Sequence, residues 1–202
     1  IVVGGAAHVA DGSDSAVFGR GHDVQSARSF YSGFQHFDSG DNTGSAMFGQ
    51  RGLAVNPGAM IVSGTKTVEI YGRRQNITVV FGRQTTNSNA TPLTDLGGGS
   101  LLVLPPHTSA MLTITGTARR DPGGKEAYFS AVVPFSRNSS GTARVNNSTN
   151  DFTVTQTLDV GASGYTLIAR PIDGGLRLLG AGADGETVEW CVTVTGPMVR
   201  AV

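Results

Sequence analysis

Three of the four histidines, His8, His22 and His36, recur at fourteen-residue intervals. Imidazole is a common transition-metal ligand and titrates near neutrality, so equal spacing predicts a ladder of rings along one edge of a repeating rod. Such a column can hold metal ions, or each ring can hydrogen-bond a backbone carbonyl of its own rung. The chain has no His-x-His pair, which would set two ligands on one strand face, so a structural ladder is expected, with no metal and no cofactor. Asp11, Asp14, Asp38, Asp41 and Asn42 sit in Gly/Ser-rich turns without completing an alternating-ligand calcium loop, and are expected to be solvated turn caps. Asp38 and Asp41 are near-neighbouring carboxylates, but glycoside cleavage requires two such groups ~5 to 9 Å apart across a cleft. A separation of three residues on one turn makes no cleft. No catalytic residue is assigned, and the chain is expected not to be an enzyme.

The opening Ile1-Val2-Val3-Gly4-Gly5, Ala6-Ala7-His8 and Asp38-Ser39-Gly40 mimic signatures of trypsin-like serine proteases. The mimicry fails on spacing, because start and histidine are contiguous here, the serine segment comes far too early, and His8 belongs to the repeat. Aromatic rings stack on sugar faces, and five of nine Phe fall between residues 18 and 48. Phe18 and Phe48 share a repeat slot and are expected to pack in the rod or between chains, leaving Phe34 and Phe37 freer. Receptor contacts are expected on loops rather than strands, in the segments 136–150 and 121–126. The candidates there are Ser136, Arg137, Asn138, Arg144, Asn146, Asn147, Asp121 and Lys125.

These groups need a scaffold, and composition restricts what it can be. The 202 residues (20.8 kDa) suit one large β domain or two small modules. Gly supplies 29 positions while Glu supplies four and Lys two, so good helix formers are scarce. Fifteen basic and fifteen acidic side chains cancel without a run of like charge, which argues against nucleic acid and anionic membranes. No apolar run approaches the ~20 residues that span a bilayer, so no membrane insertion is expected. Cys191 is the only cysteine, which excludes an internal disulfide. The chain starts at Ile1 rather than Met and is expected to be a piece of a longer polypeptide.

The first third repeats. Gly5, Gly19, Gly33, Gly49 and Gly64 form a series, the first three each followed by histidine three residues later and the series preceded by apolar pairs such as Ala16-Val17 and Ala46-Met47. A fourteen-residue period suits two short strands and two tight turns, one rung of a β-roll. Segments Ser15-Ala16-Val17-Phe18-Gly19 and Gly44-Ser45-Ala46-Met47-Phe48-Gly49 resemble the head repeats of trimeric autotransporter adhesins and related repeats of bacteriophage tail fibres. That resemblance implies a parallel homotrimer. The thin apolar stripe gives an independent reason to expect one, each rung burying its Phe and Val against a neighbouring chain.

From Thr65 onward short alternating segments read as strands: Val68–Tyr71, Ile77–Phe81, Leu101–Leu104, Ala110–Thr117, Ala127–Phe135, Phe152–Leu158, Tyr165–Ala169, Leu176–Leu179 and Thr187–Thr195. In the last, Val188, Trp190, Val192 and Val194 face a core and Glu189, Cys191 and Thr193 face away. The predicted fold is therefore all-β: a repeat β-roll over residues 1–64 and a jelly-roll-like β-sandwich over residues 65–202. Arg83-Gln84-Thr85-Thr86-Asn87, Ala118-Arg119-Arg120 and Gly174-Gly175-Leu176 through Thr187-Val188-Glu189-Trp190 resemble the terminal domain of bacteriophage tail-fibre and tail-tip proteins, over roughly residues 77 to 202. The resemblance implies an extracellular, virion-attached receptor-binding module whose partners are its own copies, other tail proteins and a host-surface polysaccharide or protein. It also implies that the acceptor-like triplets at Asn76, Asn138 and Asn147 serve as unmodified turn residues. The alternatives are a bacterial trimeric adhesin head fragment, disfavoured on the expectation that no membrane anchor or coiled-coil stalk follows, and a polysaccharide-degrading tailspike, for which no carboxylate pair in a cleft is evident.

Overall fold

The computed structural model describes residues 2–6, 8–38, 40, 42–64, 71–162 and 164–201, and all regular structure among them is β. The first nine strands are β1 (Val2–Ala6), β2 (Val9–Ala10), β3 (Ala16–Arg20), β4 (Asp23–Val24), β5 (Phe30–Phe34), β6 (Phe37–Asp38), β7 (Ala46–Gln50), β8 (Leu53–Ala54) and β9 (Met60–Gly64). Odd strands stack in parallel as one sheet and even strands as another, making a β-solenoid of about four turns. The repeat thus maps directly onto rungs. Gly5, Gly19, Gly33 and Gly49 lie opposite one another in register. Their glycine character is steric: a Cβ on Gly33 would sit 1.9 Å from the carbonyl oxygen of Gly49, and φ there is +131°.

One repeat assignment is corrected by the register. Gly49 faces Ser63, and Gly64 faces Gln50. The extra two residues are confined to the step from Gly33 to Gly49, after which the fourteen-residue period resumes, so the final slot falls one residue earlier than the glycine series suggested.

Each rung also fills its own interior. Val17, Tyr31, Met47 and Ile61 occupy one column between the sheets, and all are buried within the single chain. Phe18, Phe30 and Phe48 point outward instead, 42%, 38% and 39% exposed, while Phe34 and Phe37 are half-buried. Phe18 and Phe48 therefore do not pack inside the rod, the first of their two expected places, and on the single chain they are more exposed than Phe34 and Phe37. Strand alternation explains it, because Phe18 and Phe48 follow the inward Val17 and Met47 by one residue.

Ten further strands follow: β10 (Arg74–Thr85), β11 (Thr91–Pro92), β12 (Leu102–Val103), β13 (Thr108–Asp121), β14 (Glu126–Arg137), β15 (Ala143–Val145), β16 (Phe152–Val160), β17 (Thr166–Ile172), β18 (Gly175–Ala181) and β19 (Thr187–Arg200). Eight of them overlap the strands expected from alternation. The strand expected over Val68–Tyr71 falls almost wholly on residues 65–70, outside the described residues. β11 and β15 are too short to show a period.

β9 pairs with β10, antiparallel, with Ile61 opposite Ile77. From there the sheet runs β10-β19-β13-β14-β16-β17-β18-β11. These strands follow one hydrogen-bonded path, where the sequence had suggested the two separate sheets of a sandwich. β16 is the reason: its C-terminal part pairs with β14 and its N-terminal residues pair with β17, so one strand carries the ladder around a corner. The doubled sheet returns to its start where Gly82 and Thr94 exchange backbone hydrogen bonds of 2.8 and 3.2 Å. Trp190 packs on the bare backbone of Gly180, and its indole N–H donates to Thr85 Oγ1 at 2.9 Å. Val188, Val192 and Val194 are buried beside it and Cys191 is exposed, as the alternation predicted.

Two buried amides bind the solenoid to the terminal strands. The Gln75 side chain donates to and accepts from the backbone of Leu53, at 3.2 Å each, substituting for a further rung at the end of the short sheet. Asn56 does the same to Val103, donating at 2.9 Å and accepting at 2.6 Å.

Candidate functional site

β13, β14 and β15 lie side by side at the end of the terminal unit where the chain leaves β19. Their register places Ser109 opposite Ser136 and Ser136 opposite Arg144. Paired residues share a face, so two hydroxyls and a guanidinium form a row across three strands. Around this row lie two adjoining concavities of about 380 and 530 Å³, sharing Ser109 and Ser136. His107, Asn138, Thr142 and Arg144 line the first, and Pro134, Asn146 and Asn147 the second. The groove is therefore walled by hydroxyls, amides and cationic groups.

Local sequence chemistry shapes both ends. Val145 and Ser148 exchange backbone hydrogen bonds of 2.8 and 2.9 Å across Asn146 and Asn147, whose φ values are +49° and +61°. Positive φ at both central residues defines a type I′ turn, which asparagine tolerates. At the other end Asn138 Oδ1 accepts from the Thr142 backbone N–H at 2.8 Å and the Ser140 hydroxyl at 2.9 Å, closing the 138–142 loop. Arg137 reinforces it, donating from Nη1 to the Leu104 carbonyl and from Nε to the Gly141 carbonyl. Beneath the groove the Thr108 hydroxyl is buried without a hydrogen-bond partner among the described residues.

Six of the expected receptor-contact residues are thus brought together: Ser136, Arg137, Asn138, Arg144, Asn146 and Asn147. Arg137 is half-buried and holds the loop, whereas Arg144 is exposed. The segment 136–150, expected as loop, contains β15 and its tight turn. Ser109 was missed by loop-based reasoning because it stands at the start of β13, and His107 because its turn lies outside the segments 136–150 and 121–126.

Asp121 and Lys125 lie elsewhere. Asp121 ends β13, twelve residues along the strand from Ser109 and so ~40 Å away. It borders a separate concavity of about 310 Å³ with Arg119, Arg120 and Glu189. Lys125 is ion-paired with Glu186, which also accepts from the Tyr165 hydroxyl at 2.7 Å. The ion pair and hydrogen bonds hold the Glu186 carboxyl below the usual range, and burial with that hydrogen bond pushes the Tyr165 phenol up to about 12.

In the solenoid the histidines do form a stack, with ring centroids 5.1 Å apart for His8 and His22 and 4.9 Å for His22 and His36. Each Nε2 meets the carbonyl four residues earlier, at Gly4, Phe18 and Ser32. Each Nδ1 accepts from the next rung's backbone N–H, at His22, His36 and Gly52. Both nitrogens of every ring are engaged. The Nδ1 contacts assign the proton to Nε2.

The carboxylate expectations are partly corrected. Asp11 and Asp14 are exposed, but Asp38 is fully buried. Its Oδ1 accepts from the backbone of Gln25, Ser26 and Gly40 and from the Ser26 hydroxyl, and its Oδ2 takes a 2.6 Å bond from the Tyr31 hydroxyl. Asn42 is buried as well, donating to the Ala54 carbonyl at 3.0 Å. These two are internal struts rather than solvated caps, because the rung interior leaves backbone groups and the Ser26 and Tyr31 hydroxyls to satisfy. Asp41 and Ser39 fall outside the described residues.

No family model and no curated protein matches the chain. Among solved structures it is similar to tailspike protein gp49 from Acinetobacter baumannii bacteriophage Fri1, a capsular polysaccharide depolymerase, at 12% identity and a TM-score of 0.34. That match covers 85% of this chain and 37% of the tailspike. It is also similar to the tailspike protein of a second Acinetobacter phage, at 8% identity and a TM-score of 0.33, over 93% of this chain and 47% of the other. The chain therefore spans less than half the length of either tailspike. The expectation that it is not an enzyme is corrected against these neighbours, since the Fri1 tailspike is a depolymerase, and that expectation is withdrawn.

Proposed function

We propose that this chain is the host-attachment module of a bacteriophage tail appendage, recognising a polysaccharide on the bacterial surface through the β13–β14–β15 groove. The observation that carries the reading is the convergence of Ser109, Ser136, Arg144, Asn146 and Asn147 on one open groove. None of these five side chains has a hydrogen-bond or ionic partner among the described residues. Hydroxyls, amides and a guanidinium left free at a surface groove match the donors and acceptors of a sugar chain. The resemblance of the rungs and of the terminal segment to tail-fibre modules supports the same placement. Residues 1–64 act as a spacer, residues 65–202 carry recognition, and three copies assemble in parallel so that weak sites gain avidity.

The test is direct binding of the 202-residue protein to immobilised bacterial surface polysaccharides, with released oligosaccharide assayed in the same samples. Binding to a subset of the polymers, weakened by joint replacement of Ser136 and Asn147 with alanine, is the expected outcome. Release of oligosaccharide shows that attachment is accompanied by cleavage. Failure to bind any polymer across a panel that includes the host's own overturns the reading.

A further inference from the structure

The charge inventory of the groove goes further than its hydrogen-bonding inventory. Two guanidinium groups, Arg137 and Arg144, line the smaller concavity, and no carboxylate lines either concavity among the described residues. Four cations elsewhere have carboxylate partners: Arg119 with Glu126, Arg120 and Lys125 with Glu186, and Arg170 with Asp151. In a chain of zero formal charge, two cations without an acid in one groove are a local imbalance. Arg137 donates two of its five N–H groups to carbonyl oxygens, which are neutral and leave its charge uncompensated.

Arg144 differs from Arg137 in being available. It is exposed at the end of the Ser109–Ser136–Arg144 row, its strand held by pairing of Phe135 with Val145 and of Arg137 with Ala143. Guanidinium binds carboxylate or phosphate with two parallel hydrogen bonds, and the neighbouring serines supply short-range donors for the adjoining sugar hydroxyls. We infer that the groove selects an anionic sugar, with Arg144 binding the acidic substituent and Ser109 and Ser136 the residue beside it. The inference rests on the attachment reading above and names its ligand class.

The experiment uses the full chain against purified bacterial polysaccharides of three kinds: uronate-bearing, phosphodiester-bearing and neutral. Uronate polymers are tested both native and after chemical reduction of their carboxyl groups to alcohols. The expected result is binding confined to the anionic polymers, with Arg144→Ala weakening it about tenfold at unchanged melting temperature, as befits loss of a charge-assisted contact, and Arg144→Lys retaining part of it. Loss of binding on carboxyl reduction assigns the carboxylate, whereas binding confined to phosphodiester polymers assigns the phosphate. Equal binding to neutral polymers, or anionic selectivity undiminished in Arg144→Ala, overturns the inference while leaving attachment standing. Binding to no polymer at all overturns both.

Discussion

The imidazole of His36 lies 4.9 Å from that of His22 with the rings 12° from parallel, and the backbone N–H of His36 donates to His22 Nδ1 at 3.1 Å. One rung's main chain is thereby held by the previous rung's side chain, and Gly52 repeats the contact to His36 at 3.0 Å. The arrangement works only with Nδ1 unprotonated. Burial lowers the affinity of His22 for a proton and brings the His36 pKa down to about 4, against partial compensation from the carbonyls of Phe18 and Ser32. The near neighbour of His36 is the Tyr31 ring, itself bonded to Asp38.

Acid should therefore weaken the solenoid before it weakens the terminal sheet. Above pH 6.5 both folded and unfolded chains hold neutral imidazole, and the full contribution is present. Between 6.5 and about 4 the unfolded chain binds the proton and folded His36 does not, so stability falls with pH. Below about 4 the loss is complete, roughly 3 kcal/mol for His36. Denaturant melts at pH 7.5, 6.5, 5.5 and 5.0 check this, with His36→Gln as the control. Equal slopes against pH for parent and variant would refute the assignment.

Gly33→Ala should be among the most damaging single substitutions. The new methyl would collide with main chain rather than with a movable side chain, and the residue would still have to hold φ +131°. A loss of about 4 kcal/mol or more, or failure to fold, is expected. Gly98→Ala is the comparison: φ there is +81° with open space around it, so only about 1 to 2 kcal/mol is expected. Similar melting temperatures for the two variants would remove the close-approach argument.

Asp38→Asn tests the internal strut. The amide can replace one accepting oxygen, but its NH2 group then opposes either the Tyr31 hydroxyl or the cluster of donors from Gln25, Ser26 and Gly40. Leaving such buried groups unmatched costs about 2 to 4 kcal/mol. Hydrogen exchange should show it first in the backbone amides of Ser26 and Gly40, and unchanged protection there would show the carboxylate to be dispensable.

Periodicity made the fold legible wherever a side chain repeats or alternates. The His8–His22–His36 spacing yielded the ladder, and Val188–Trp190–Val192–Val194 yielded the buried face of β19. Asp38 and Gln75 stayed hidden because each is used once. Asp38 lies among Gly and Ser that resemble a solvated turn, and Gln75 satisfies Leu53 from another strand, 22 residues away. The groove was half legible. Polar loop composition pointed to residues 136–150, Arg144 among them, but Ser109 enters through strand register, and β15, which carries Arg144, is too short for any pattern. The corner made by β16 depends on which partner each half of one strand chooses, and alternation within the strand does not record that.

Assembly is the last expectation the structure makes testable, and it concerns an outer face rather than an interior. Phe30 stands between Phe18 and Phe48, with ring centroids 5.9 and 5.6 Å away. Met60 and Val62 extend the stripe onto β9, each about half exposed. A contiguous apolar stripe of this kind marks an interaction surface in soluble proteins, and a parallel homotrimer of the solenoid would cover it. Because Val17, Tyr31, Met47 and Ile61 are already buried in one chain, the rungs need not unfold when copies separate. Light scattering should give about 62 kDa for the parent, three chains of 20.8 kDa, and Phe30→Asp should shift it to the single-chain mass with the far-ultraviolet β spectrum retained. A parent that stays at one-chain mass at high micromolar concentration, or a Phe30→Asp variant that keeps the parent's larger mass, means that the stripe does not hold the copies together.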